Sequence, residues 1–452
     1  MATDNLGFYN VLDVVIRTCR VVASSGAVLE FKHMMLEFNY YEDIFSNQVS
    51  GTILINDSVN YLNLLQFDGN ERMIISFDNP SKDTPLERSF RLYKVSNRKK
   101  TNDRNENYFL HFCSEELLIS EQNRISKSYK NKELYKILTS ICTDYLKIKS
   151  DKLFIEKTIG VRDIIIPSYK PFQAINWLCS LALSKETSSV GTTYLFYESK
   201  NGFNFASLSS LFKQKVYRTF LYEQKNLNKL DDNLLTDTAK DINSVISYEH
   251  INNFDTLANS NRGAFNNKLI TIDPLRGKFG ESSFKYDEFK KESPSLNKSG
   301  FDADTQNRLG KTAEESTSVV KYVLSTTGQS ENAYIKGKKV SVNENRIEQI
   351  VPYRIAQLAL LNSNKMRLLI PGDVNMTVGL VVKFNLPSVS RKTFGEEEFD
   401  SFYSGNYLVT GVRHIVQHQE NTFVTVIEIC KESTPNSMIK SNNTNPLLTA
   451  LR

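Results

Sequence analysis

The chain has 452 residues, 40% of them hydrophobic and 11% aromatic, which is enough for roughly three domains with real cores and too apolar for a disordered protein. Its 56 basic and 51 acidic side chains leave a net charge of +5, a near balance that offers no basic stripe of the kind a nucleic-acid reader presents. Cys19, Cys113, Cys142, Cys179 and Cys430 are widely spaced with no C-x-x-C pair, and read as reduced, mostly buried thiols of a cytosol. The start, Met1-Ala2-Thr3-Asp4-Asn5, has no basic stretch followed by an apolar one, and no run reaches the ~18 apolar residues of a membrane span. A soluble chain made in the cytoplasm, with no membrane anchor, is the expectation.

In chain order, Val49–Ile55 has the β-branched character of a short strand, and Asn56-Asp57-Ser58 offers an N-cap to a helix carrying Val59, Leu62 and Leu65. Strands are predicted around residues 72–77, 89–96 and 107–113, the last two joined by the polar loop from Arg98 to Glu106. Leu134, Ile137, Leu138, Ile141 and Tyr145 then recur at helical spacing, and Pro171 suits the first turn of a helix bearing Phe172, Ile175, Trp177, Leu178 and Leu181. Tyr194–Tyr197 and Phe203–Phe205 flank Asn201-Gly202, a favoured hairpin dipeptide. Residues 216–275 mix helix and strand, whereas 276–340 are poor in large apolar groups and read as a long surface excursion. A helix near 353–361 precedes further strands and mirrors the one at 58–65, and the tail from Ser433 is polar.

Those last strands resemble the first ones. Met73–Pro80 aligns with Leu380–Pro387 at an offset of 307 (387 − 80), placing Phe384 on Phe77 and Pro387 on Pro80. Phe90–Cys113 aligns without gaps on Tyr407–Cys430 at an offset of 317 (430 − 113). Phe90, Leu92, Val95, Leu110 and Phe112 then fall on Tyr407, Val409, Val412, Ile427 and Ile429. A duplicated unit lets one chain occupy two equivalent places in a symmetric object. Both faces of the later strands are partly apolar, so a helix or a neighbouring subunit must cover the second face.

Catalytic and metal motifs fail on spacing. Gly310-Lys311-Thr312 ends like a phosphate loop, but Thr305 stands where its first glycine belongs. Asp302-Ala303-Asp304 begins like a calcium loop, but Asn307 replaces its glycine and Ala313 its last glutamate. His414 and His418 lie in or beside a predicted strand, where four residues span roughly 13 Å at about 3.3 Å each, too far to share zinc. The pair is expected in water at a hairpin end. No catalytic, cofactor-binding or metal residue is assigned, and a non-enzyme is expected.

Several segments in order resemble the baseplate hub protein of contractile-tailed bacteriophages. They are Tyr40–Asp57, Ile166–Trp177, Tyr194–Phe205, Arg262–Asp273 and Tyr407–His414, so the match runs over residues 30–432. The resemblance implies a β-rich α+β chain with two tail-tube-like antiparallel β-barrel or sandwich domains, at 1–116 and 345–432. Between them it implies an inserted α+β domain (117–215) and an extended region with a long polar loop (216–344), with a polar tail at 433–452. It further implies a homotrimer whose six tube-like domains form a pseudo-sixfold ring. Its implied partners are the tail tube or tube-initiator proteins, a central spike, a tape measure protein and surrounding wedge proteins, with DNA only passing through the bore. The place implied is the virion's tail baseplate. A tail-associated cell-wall hydrolase is the alternative, and the spike-hub of a secretion system a third reading.

Overall fold

The computed structural model describes residues 11–62, 67–78, 85–186, 191–222, 242–253, 256–274, 277–297, 299–300, 319–324, 333–335, 338–340, 346–388, 399–400 and 402–434. The fold is β-rich α+β, as expected, and its centre is one 13-stranded sheet assembled from two units.

The first unit comprises β1 (Val15–Val22), β2 (Val28–Glu30), β3 (Met35–Asp43), β4 (Ser50–Asp57), β5 (Arg72–Asp78), β6 (Leu86–Lys100) and β7 (Glu106–Cys113). Their spatial order is β3-β4-β7-β6-β5-β1-β2. Met73, Ile75 and Phe77 alternate inward along β5, as a half-buried strand requires. Phe38, Phe90 and Phe112 form the centre of this core, with Phe112 stacked on Phe38 at 5.3 Å and tilted against Phe90 at 4.7 Å. After β4 the Asp57 carboxylate accepts the Val59, Asn60 and Tyr61 N–H groups, which turns the chain into a helical start at Tyr61 and Leu62. The expected loop from Arg98 is shorter than its polarity suggests, because β6 continues through Lys100.

An α+β body follows. It contains helices Glu115–Gln122, Leu134–Asp144 and Pro171–Leu181, with β8 (Ile125–Glu133), β9 (Leu153–Ile155), β10 (Val161–Tyr169), β11 (Tyr194–Ser199) and β12 (Gly202–Ser207). Leu134, Ile137, Leu138 and Ile141 are all buried, as their spacing predicts, and Pro171 opens its helix. Trp177 packs edge-on against Tyr169 at the rim of this core. The β11–β12 turn lies one residue earlier than its dipeptide suggests: Ser199 pairs with Gly202, so Lys200-Asn201 make the turn. Gly202 has φ +138°, and a Cβ there would meet the Lys152 carbonyl oxygen at 2.3 Å, so the glycine serves close approach.

A second unit of strands completes the sheet. Its strands are β13 (Val216–Leu221) and β14 (Ser247–Asn253), then, after β15 (Asn266–Asp273), β16 (Lys278–Lys285), β17 (Ser299–Gly300), β18 (Val319–Leu324), β19 (Ala333–Ile335) and β20 (Lys338–Val340), the strands β21 (Asn364–Pro371), β22 (Val381–Asn385), β23 (Gly405–Gln417) and β24 (Thr422–Lys431). Neighbours run β13-β22-β23-β24-β21-β14. The short β25 (Ser433–Thr434) pairs with β17.

Residues 276–340 are more than an excursion. β16-β15-β18 make a separate three-stranded sheet whose Phe284, with Tyr286 and Phe289 beyond it, packs on the helix Ile347–Leu361. The pattern hid it because its outer face stays open: Phe279, Tyr322 and Leu324 are exposed beside Ile272. That helix precedes β21, whereas the one at 61 follows β4, so the two do not mirror each other. The Gly310-Lys311-Thr312 and Asp302–Asp304 segments lie outside the described residues.

Candidate assembly seam between the two sheet units

The strands singled out by sequence come together as two three-stranded meanders. In the first, Arg91 faces Cys113 and Leu92 faces Phe112; the register then slips, and Lys94 faces His111, Val95 faces Leu110 and Ser96 faces Phe109. In the second, Leu408 faces Cys430 and Val409 faces Ile429; the register slips at the same level, and Gly411 faces Glu428, Val412 faces Ile427 and Arg413 faces Val426. Every one of these pairs is related to its counterpart by the 317 offset. Phe77, Phe90, Leu92, Leu110, Phe112, Phe384, Tyr407, Val409, Val412, Ile427 and Ile429 are buried, while Val95 is exposed.

The first strand of each meander needs a correction of two residues. Phe90 faces Met73, but Tyr407 faces Val382 rather than Leu380. The pairing-based offset is therefore 309 (382 − 73), which puts Phe384 on Ile75 and Leu386 on Phe77. A slip of two keeps each side chain on its original face, so the apolar pattern alone could not reveal it. Pro387 bridges to Phe399, and Pro80 lies outside the described residues.

The correspondence extends to six strands. β4 lies beside β7 as β21 lies beside β24, and β3 lies beside β4 as β14 lies beside β21. β1 flanks β5 and β13 flanks β22, though the first pair is antiparallel and the second parallel.

The two units meet edge to edge where β23 pairs antiparallel with β3, from Gly411 opposite Asp43 to Gln417 opposite Glu37. Polar groups are buried beneath this seam. His414 stands opposite Tyr40, their rings stacked at 5.6 Å. The Tyr40 hydroxyl donates to Glu42 Oε1 at 2.7 Å, and the Val378 N–H donates to Glu42 Oε2 at 3.0 Å. Burial pushes the Glu42 carboxyl up to about 7, against the pull of those hydrogen bonds and of Arg88. Burial and the Lys200 charge push the His414 imidazole down to about 3, with Nδ1 hydrogen-bonded to Thr425 Oγ1 at 2.9 Å. His414 is thus neutral in a core and not in water, as its place near a hairpin end suggested. His418 sits just past the strand, partly buried.

A second buried pair ties the α+β body to the first unit. Arg88 of β6 forms an ion pair with Glu198 of β11 and donates to the carbonyls of Lys200 and Ser199 at 2.8 and 3.2 Å. Glu198 Oε2 also accepts the Val49 N–H at 2.9 Å and the Ser114 hydroxyl. Arg354, on the helix before β21, donates to the carbonyls of Cys179 and Tyr194. The body is therefore anchored to the chain by buried, directional contacts. None of Tyr40, Glu42, Arg88, Glu198 or His414 was legible in the sequence as a group, because each stands in its own strand with no shared spacing.

Among the described residues no three His, Cys, Asp or Glu side chains cluster as metal ligands, and all five cysteines are buried and unpaired. Burial raises the Cys19, Cys113, Cys179 and Cys430 thiols to about 12, the opposite of an activated nucleophile.

A pH dependence follows from His414. Its folded value of about 3 lies below the ordinary 6.5, so between these the unfolded chain binds the extra proton. Stability rises with pH across that window and is fully present above it. Wild type should lose stability relative to a His414→Gln variant as pH falls from about 6.5 toward 3, read by urea unfolding at each pH. Glu42 works in the opposite direction between 4.5 and about 7, but it is common to both proteins and cancels in the difference.

No family model matches the chain, and no curated protein matches it by sequence. Solved structures do. A 43 kDa tail protein of prophage MuSo2 from Shewanella oneidensis superposes with a TM-score of 0.52 at 8% identity, over 92% of this chain and 98% of that one. A tail protein from Neisseria meningitidis gives 0.51 at 11% identity, over the same shares. The chain has the fold of a phage tail protein. The likeness lies in the fold rather than in the sequence. It agrees with the resemblance drawn from the sequence at the level of fold.

Proposed function

We propose that this chain is a structural part of a phage tail, a baseplate hub that assembles as a homotrimer. Each chain would contribute two related sheet units, so that three chains imitate six around a ring. The ring would join a sixfold tail tube to a threefold central spike, leaving a bore for the tape measure protein and for DNA. One observation carries the reading: two six-strand units in one chain share chain order, neighbours, hairpin register and the position of a bulge. We draw the second unit as residues 216–253 with 364–431, the α+β body lying between the units.

The exposed apolar face of β16-β15-β18 supports a partner on the inserted side. Ile272, Phe279, Tyr322 and Leu324 lie together there, and a monomer gains nothing by leaving such a strip wet. A threefold spike is the partner we assign to it. Wedge and tube-initiator proteins would take the outer and upper surfaces.

Light scattering of the purified chain tests the reading. A trimer is expected, either alone or on addition of its spike protein. A discrete, stable dimer under every condition would overturn it, because two chains of two units cannot close a ring of six.

A further inference from the structure

Among the described residues, the seam inside the chain leaves two matching edges without a strand partner. In β23, Gly405–Leu408 pair with β22, after which Gly411–Gln417 pair with β3. β6 is used the same way over its first half, where Leu86–Arg91 pair with β5. Among the described residues no strand pairs with Lys94–Lys100 on that side. β14, which holds in the second unit the place of β3 in the first, pairs only with β21 among the described residues. We propose that Val95–Lys100 of one copy pairs antiparallel with Tyr248–Asn253 of a second copy of this chain, repeating between chains the ladder that β23 and β3 form within one. This rests on the trimeric hub reading and specifies the contact that would build it.

The register can be carried over strand by strand. Through their shared pairings with β7 and β24, Ser96 takes the place of Arg413, Lys99 that of Ile415 and Lys100 that of Val416. Through β4 and β21, Asn252 takes the place of Tyr41, Glu249 that of Asn39 and Tyr248 that of Phe38. In the seam Arg413 faces Tyr41, Ile415 faces Asn39 and Val416 faces Phe38. Between copies, Ser96 therefore faces Asn252, Lys99 faces Glu249 and Lys100 faces Tyr248.

In the seam a single residue on each strand, His414 and Tyr40, separates the first of these pairs from the second. In the edges two residues intervene on each strand: Asn97 and Arg98 on β6, Ile251 and His250 on β14. Each edge strand has gained one residue over its template, for β6 slips against β7 between Ser96 and Lys99, and β14 slips against β21 between His250 and Asn252. An extra residue on one strand alone would break the ladder. Here the two extras fall at the same level and cancel, so the ladder from Val95–Asn253 to Lys100–Tyr248 stays in step on both sides of the bulge, where Asn97 turns left-handed at φ +54°.

Charge and exposure agree. Lys94, Lys99 and Lys100 lie along that edge of β6 beside Arg98, which pairs with Glu106 at 2.8 Å. Glu249, which pairs with Arg367 at 3.0 Å in its own chain, stands at the matching level of β14. Val95 is 37% exposed, whereas Val412, its counterpart in the occupied seam, is 3% exposed. Ile251 is 40% exposed on the other edge. A strand edge presenting unpaired backbone groups is a template for another chain, and a contact between unlike edges closes into a ring when its rotation permits.

The test is a Lys99→Cys/Glu249→Cys variant of the full chain, oxidised under mild conditions, with the native cysteines buried out of reach. Opposed residues across a ladder bring Cβ atoms to about 4.5–5.5 Å, near the roughly 3.5–4.5 Å a disulfide needs. A covalent trimer on a non-reducing gel is the expected result, with each single variant and Lys99→Cys/His250→Cys remaining uncrosslinked. A trimer by light scattering without any crosslink overturns this ladder and leaves the hub reading standing. Crosslinked chains that run past three into open polymers support the ladder and overturn the hub reading. Charge reversal checks the same contact without cysteine: Glu249→Lys should weaken assembly at least tenfold, and Lys99→Glu in the same chain should restore it. Unchanged assembly of Glu249→Lys counts against the ladder.

Discussion

Arg88→Met is expected to destabilise the chain by about 3–5 kcal/mol, the usual cost of removing one partner from a buried ion pair. Glu198 is 3% exposed and Arg88 16%, so the carboxylate left behind has no water to replace the guanidinium. The Val49 N–H and the Ser114 hydroxyl still bond to it, but hydrogen bonds alone do not offset a buried charge. Methionine keeps the length of the arginine stem, and the loss is then chiefly electrostatic. Urea unfolding measures it, and the double variant Arg88→Met/Glu198→Gln should regain part of the loss because a neutral amide is less costly to bury. A change below about 1 kcal/mol for the single variant would mean that the pair does not hold the α+β body to the first unit.

The second large effect is expected at Glu42. Glu42→Ala strips the acceptor from the Tyr40 hydroxyl and the Val378 N–H, and each buried donor left unsatisfied costs roughly 1–3 kcal/mol. A total near 3 kcal/mol or more follows, with loss of packing at a seam where Glu42 is 2% exposed. Tyr40→Phe removes only the hydroxyl and should cost about 1 kcal/mol. That ordering, read by denaturant midpoint and slope, separates a polar clamp between the units from mere volume. Equal effects of the two substitutions would contradict it. The raised carboxyl adds a sign: Glu42 holds its proton in the folded chain up to about pH 7, so the wild-type advantage over Glu42→Ala should shrink as pH rises from 4.5 to about 7.

The sequence revealed those parts of the molecule whose physics is local. The helices Leu134–Asp144 and Pro171–Leu181 announce themselves by a 3.6-residue period and a proline at the first turn. The repeated meander is visible because inward residues such as Leu92 and Val409, or Phe112 and Ile429, keep their chemistry on one face. What stayed hidden depends on distant partners. The two-residue error at Phe384 preserves the face of every side chain, and only the pairing of Tyr407 with Val382 exposes it. Lys278–Lys285 reads as loop because half of that strand awaits no core of its own, and Phe284 finds its cover on a helix some 70 residues later. Tyr40, Glu42 and His414 meet across 374 residues of chain (414 − 40), a distance no spacing rule spans.

The half-used edge of β6 also bears on the life of the chain before assembly. Newly made copies sit at high local concentration in a crowded cell, where an open strand invites stacking into fibres. Here the first half of that strand is already covered by β5, and the remainder carries Lys94, Arg98, Lys99 and Lys100. A stray strand docking there must cover a cluster of like charges, of which Arg98 is already paired with Glu106, and an identical edge docking on itself must cover twice as many. Only a surface that offers an acid at the right level, with an extra residue at the right step, escapes that cost. The cations that favour the correct neighbour thus act as gatekeepers against every other one.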